Sequence, residues 1–157
     1  MFATVQDEQP FLNSNLFVYD EEAHAIYLHT ASQGRTRETV EAHDRVCFTV
    51  FELGRLLPAD EALEFSCEYA SVVVFGTGSV VRDPVEQRGA LQRLLDKYFP
   101  DKRPDRDYRG ITDAELARTS VFRIDIQEWV GKRKKVESGF PDARPYRAPP
   151  LVDLEPA

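Results

Sequence analysis

Long apolar stretches are missing from this chain: no run exceeds four residues, as at Val72 to Phe75, against the roughly 20 that cross a bilayer as a helix. No membrane partner is expected on that count. Met1 is not followed by the basic and then apolar leader of an exported protein. Cysteine is nearly absent too. The two present, Cys47 and Cys67, stand in apolar or strand-like runs, which predicts buried, reduced thiols and a cytoplasmic location. Neither belongs to a CxxC or a Cys/His cluster of zinc spacing, so no metal site is expected. The eight glycines form no dinucleotide-binding fingerprint, so a nicotinamide partner would bind only transiently. Basic residues are also in deficit, 20 against 27 acidic, for a net charge of −7. That balance opposes the phosphate backbone of nucleic acid, and no nucleic-acid partner is expected. One block, Lys132-Arg133-Lys134-Lys135, runs against the trend.

A length of 157 residues suits one domain. Five of the ten prolines fall in the last segment, at 141, 145, 149, 150 and 156, which sets a Pro-rich extended tail over 140–157 apart from a domain over 1–139. Residues rich in Val, Phe, Tyr, Ile and Thr mark strands at Phe2 to Val5, Phe11 to Tyr19, Ala25 to Thr30, Val46 to Phe51, Tyr69 to Val81 and Val121 to Ile126. The early joints, 6–10 and 20–22, are short and polar, as antiparallel hairpins require.

Helix signals are fewer and sharper. Asp83 is an N-cap, Pro84 suits the first helical position, and Leu91, Leu94, Leu95 and Tyr98 recur at helical spacing before Pro100. Thr112 and Glu115 form a capping-box pattern opening a short helix to about Arg118. A third helix is expected from Arg35 to His43. The fold class is therefore mainly β, a barrel of six or so mostly antiparallel strands with two to three outer helices.

The stretch Ile26 to Val40 carries the most chemistry. A strand ends at His29-Thr30, a polar loop passes through Gly34, and a helix opens with Arg35, Thr36 and Arg37. Free N–H groups and partial positive charge at a helix start, with arginine and hydroxyl groups beside them, suit a phosphate. The same residues also fit a solvated first turn that Ser and Thr merely cap. His29 fits either a functional histidine or a strand-end ring bonded to a backbone carbonyl. Trp129, the single tryptophan, fits a core position or a cofactor platform. Glu64 and Glu68, four apart, fit an acid and base pair on one helix face or, better, two solvated carboxylates on a turn before a strand. Cys67 lacks a resolving partner and reads as structural. His24 and His43 have no context and are expected to be exposed.

The order His29-Thr-Ala-Ser-Gln-Gly-Arg-Thr-Arg, helix, Arg45-Val-Cys-Phe, then Glu64 to Gly76, Asp83-Pro84 and Trp129-Val-Gly-Lys132-Arg-Lys resembles the pyridoxamine 5'-phosphate oxidase-like, FMN-binding split-barrel proteins. The branch most similar is that of the nitroimidazole-resistance proteins. The resemblance runs from about Phe2 to Lys135 and implies a split barrel holding FMN at the interface of a homodimer. It implies that His29, Thr30, Arg35, Thr36 and Arg37 surround the FMN phosphate, and that Asn13, Asn15, Leu16, Phe17 and Ser71 lie along the flavin ring. Trp129 and Lys132 match a family position that reaches the flavin, often from the other subunit. The implied activity is reduction of a small organic substrate with electrons from NAD(P)H, with His29 the catalytic candidate. A carrier or redox sensor without turnover, a deazaflavin or haem ligand, and a polyanion-binding barrel are the alternatives. Three departures stand out. Thr36 replaces a lysine usual in the oxidases, so either Arg37 supplies the charge or FMN affinity is lower. The stretch after Trp129 lacks the tryptophan-to-arginine spacing that grips the substrate phosphate, so vitamin B6 oxidation is not implied. The chain also opens directly on a strand where the family usually has a helix.

Overall fold

The computed structural model describes residues 1–148. In chain order the elements are β1 (Phe2–Gln6), β2 (Gln9–Asn13), β3 (Phe17–Asp20), β4 (Ala25–Ala31), α1 (Arg35–Ala42), β5 (Arg45–Leu57), a 3-10 turn (Ala62–Glu64), β6 (Ser66–Val80), α2 (Pro84–Tyr98), α3 (Asp113–Leu116), β7 (Thr119–Lys134) and β8 (Arg144–Pro145). The strands form one sheet in the order β2-β1-β5-β6-β7-β4-β3, with β8 added on β5. No helix among the described residues is long and apolar enough to cross a membrane.

The chain forms two compact units. The first comprises Met1–Thr49 with Val73–Val130, the second Val50–Val72 with the chain from Gly131 onward. In the first unit, β1 and β2 turn through Asp7 and Glu8, both in left-handed backbone, at φ 50° and 63°. That is the conformation a two-residue hairpin needs, so the joint is tighter than 6–10. Pro10 sits in β2, opposite Val5, and is tolerated because β2 is an edge strand. The strand expected from Phe11 to Tyr19 is two strands, because pairing ends at Asn13 and the chain is not extended in the sheet over Ser14 to Leu16. This split and the addition of β8 raise the expected six strands to eight.

Strand β4 is buried along Ala25 to Leu28 on both faces. Ala25 and Tyr27 pack with Val18, Val81, Ala90, Leu94 and Val121, so one face lies under α2. Ile26 and Leu28 take the other face by alternation, opposite Ile124 and Phe122 of β7. Phe122 meets Phe2 there, ring centroids 6.2 Å apart. Glycine is required at Gly76, because a Cβ at that position would collide with the Asp125 carbonyl oxygen. Helix α2 begins as its sequence predicts, the Asp83 carboxylate accepting from the Val85 and Glu86 N–H groups. The capping box of Thr112 and Glu115 opens α3.

In the second unit, Glu68 overturns its expected solvation. It is buried on β6 because the Arg55 guanidinium grips both its oxygens, at 2.9 and 2.8 Å. Glu64 closes the 3-10 turn and is exposed, so the two carboxylates share no helix face. Arg55 also donates to the carbonyls of Val136, Glu137 and Ser138, and the Val136 N–H donates to Glu68. The segment after the basic block is held by these bonds, and Arg144–Pro145 adds a short strand to β5. The proline-rich tail expected over 140–157 thus begins partly ordered, and its part beyond residue 148 lies outside the described residues. Both cysteines are free, and both are half-buried, not fully buried as expected.

Candidate functional site

The loop from β4 into α1 turns on Gly34, at φ 127°, a left-handed backbone that favours glycine. Gly34 is the N-cap of α1, and no side chain caps the helix. The reading in which Ser and Thr cap this turn is therefore not what the structure shows. The Gly34 carbonyl accepts from the Arg37 and Glu38 N–H groups, which leaves the N–H groups of Arg35 and Thr36 without a backbone partner among the described residues.

Three side chains open the helix and differ in what they are free to do. Arg35 is exposed and lies over the Phe11 ring at 5.4 Å, with no carboxylate partner among the described residues. Thr36 is buried, and its hydroxyl accepts from the Asn13 amide at 3.0 Å. Arg37 is committed elsewhere: it pairs with Glu41 at 3.2 Å and donates to the Ser32 carbonyl and the Ser120 hydroxyl. Arg35 is the cation available to an anion at this helix start.

Asn15 donates to the His29 carbonyl at 3.3 Å, while its own side-chain oxygen is buried without a partner among the described residues. Such an orphaned acceptor marks a place where a donor is missing. The Thr30 hydroxyl turns back to the Ala31 carbonyl. Phe17 is fastened to α2, its carbonyl accepting from Lys97 and its N–H donating to the Tyr98 hydroxyl.

Leu16 and His29 line a cavity of about 380 Å³ together with Leu91, Leu94, Leu95, Tyr98, Phe99, Tyr108, Arg109, Ile111 and Glu115. The His29 ring has no hydrogen-bond partner among the described residues, so it is not a ring spent on a backbone carbonyl. Partial desolvation lowers its pKa below the ordinary histidine value and favours the neutral ring at pH 7. Sequence reasoning does not find Tyr108, Arg109 or Glu115. Glu115 is signalled only as the capping-box residue of α3, and Tyr108 and Arg109 follow α2 in a polar stretch that periodicity does not resolve.

In the second unit, Ser71 and Lys132 come together as lining of a cavity of about 420 Å³, with Val50, Phe51, Glu52, Ala70, Val72, Gly131 and Arg133. Strand β7 extends through Lys134, so Trp129 and Lys132 lie within it and not after it. Trp129, in the first unit, is 58% exposed, which excludes the core alternative. His24 and His43 are exposed as expected.

A mainly β sheet in this strand order, left unclosed and accompanied by three helices, is a split-barrel fold. The family described as pyridoxamine 5'-phosphate oxidase matches residues 1–133, and the chain belongs to that family. Solved structures share the fold. The flavocytochrome Anf3 from Azotobacter vinelandii is 23% identical with a TM-score of 0.73, covering 99% of this chain and 75% of that one. The FAD and heme binding protein from Mycobacterium smegmatis is 24% identical with a TM-score of 0.73, covering 99% and 83%. A proposed 5-nitroimidazole antibiotic resistance protein from Bacteroides thetaiotaomicron is 20% identical with a TM-score of 0.66, covering 83% and 73%. No match was found among curated proteins.

Proposed function

We propose that this chain is an FMN-binding flavoprotein that reduces a small organic substrate with electrons from NAD(P)H. The observation that carries the reading is the start of α1: a glycine N-cap, no capping side chain, and Arg35 unpaired beside it. These groups suit a phosphate monoester, whose charge meets an arginine and two free N–H groups. In this reading Arg35 and the Arg35 and Thr36 N–H groups hold the phosphate, with Thr30 and His29 beside it. Arg37 only braces the helix. Asn13 fixes Thr36, and the orphaned Asn15 oxygen accepts from a ring N–H of the flavin. Leu16 and Phe17 supply apolar wall. When bound, the flavin supplies the hydride chemistry, and the protein supplies position, hydrogen bonds and exclusion of water. His29, neutral at pH 7, is the group placed to hold or pass a proton.

Ser71, Trp129 and Lys132 are assigned to the cofactor on family resemblance. The description of two structural neighbours as a flavocytochrome and an FAD-binding protein supports a flavin ligand. Exposed Trp129 and Val130 in the first unit, and exposed Phe51 and Phe65 in the second, support a homodimer that covers them. The two free thiols fit the cytoplasm.

Titration of FMN against the wild type and Arg35→Ala tests the phosphate site. The expected result is at least a tenfold weaker Kd, equivalent to about 1.4 kcal/mol for one charge-assisted contact. Unchanged affinity in a folded variant would remove the site from this loop.

A further inference from the structure

Beyond the flavin reading, we infer that the cavity under the C-terminal half of α2 is a binding site for a small neutral ring compound carrying a hydrogen-bond-accepting oxygen, of the aryl ketone or quinone type. Its walls are apolar: Leu16, Leu91, Leu94, Leu95, Phe99 and Ile111. At about 380 Å³ it falls within the range of small-ligand sites, which combine apolar walls with a few placed polar groups.

The polar groups define the ligand class. Tyr98 is spent, its hydroxyl donating to the Phe17 carbonyl. The Tyr108 hydroxyl accepts from the Gln92 amide at 2.8 Å, which leaves its proton free to donate. Arg109 pairs with Glu115 at 2.8 Å, and its side chain is 72% exposed, so its remaining N–H groups are solvated. The second Glu115 oxygen already accepts from the Thr112 N–H and hydroxyl. Both Glu115 oxygens are therefore engaged, while the Tyr108 phenol still has a donor to offer.

Charge argues in the same direction. Arg109 and Glu115 pair, and the other lining residues are His29, two tyrosines and apolar side chains. The rim carries no net charge to attract an anion or a cation. What remains is an apolar slot in which the free Tyr108 hydroxyl proton suits an acceptor oxygen on an uncharged ring.

The cavity shares Leu16 and His29 with the flavin reading, so the test uses a ring ketone without a phosphate: loss of FMN binding in Arg35→Ala and loss of 1-indanone binding in Tyr108→Phe are read separately. 1-Indanone is titrated against the full chain and followed by the NMR signals of Tyr108, Leu95 and His29, with indane and benzoate as comparison probes. Saturable shifts confined to the cavity are expected, with indane and benzoate each binding at least tenfold more weakly. Tyr108→Phe should weaken 1-indanone about tenfold, and Leu95→Trp should abolish binding by filling the cavity. Where Leu95→Trp fails to fold, Tyr108→Phe and the indane comparison carry the test. Absence of saturable shifts overturns the site. Equal affinity for indane, tighter binding of benzoate, or an unchanged Tyr108→Phe overturns the ligand class.

Discussion

Arg35 and Arg37 are two residues apart and chemically identical, yet only one is available to a ligand. The i to i+4 neighbour Glu41 pairs with Arg37, while Arg35 faces no carboxylate among the described residues. Arg37→Ala should therefore leave FMN affinity within about threefold of wild type while lowering thermal stability slightly, since an exposed pair contributes on the order of 0.5 kcal/mol. Paired FMN titrations of the two alanine variants check this contrast. At Glu68 the argument concerns pH. Hydrogen bonds from Arg55 first, then from the Val136 N–H, hold its carboxyl down to about 2, against 4.5 when unperturbed. The folded state thus binds its proton more weakly than the unfolded chain, and the stability gained is present above about 4.5 and lost as pH falls toward 2. Thermal melts of wild type and Glu68→Gln should differ most near neutrality and converge across that window. A constant gap would show that the Arg55 bonds do not depend on the carboxylate charge. Spacing alone does not reveal this pair and points instead to a solvated turn at Glu68. Its partner lies 13 positions back on a neighbouring strand, and no local pattern announces such a pair.

Elements whose signals are local are legible in the sequence. Asp83 with Pro84, and Thr112 with Glu115, mark helix starts because each satisfies N–H groups within three residues of itself. Removing the cap by Asp83→Ala should cost about 1 kcal/mol, measured by urea unfolding, with no change in ligand affinity. Strand limits are less apparent. β7 continues eight residues beyond the expected Ile126, to Lys134, because its outer part is exposed and polar and so lacks the apolar alternation that reveals a strand. The opposite happens at β2 and β3, which the sequence pattern joins into one strand. Apolar residues flank Asn13-Ser14-Asn15 on both sides, but the chain between them leaves one edge of the sheet order for the other. Gly76 shows what an element demands of a single position. With the Asp125 carbonyl oxygen standing where a Cβ would need room, Gly76→Ala should destabilise the fold by about 3 kcal/mol. Chemical denaturation would read that loss directly.

For the molecule as a whole, the fold class and the helix start that frames the proposed phosphate site are legible in the amino-acid order. Both depend on local features: alternating strands, short polar joints, and a glycine entering a helix beside arginine. The cavity beside His29 is not legible in that way, because Tyr108, Arg109 and Glu115 reach it from segments some 80 residues away in sequence. Family membership rests on a match over residues 1–133, and the proposed chemistry rests on a flavin being held there. The visible spectrum of the purified protein, with chromatographic identification of any released chromophore, bears on that claim most directly. A yellow protein releasing FMN in near one-to-one amount is the predicted result. A colourless protein that also fails to take up added FMN would contradict it.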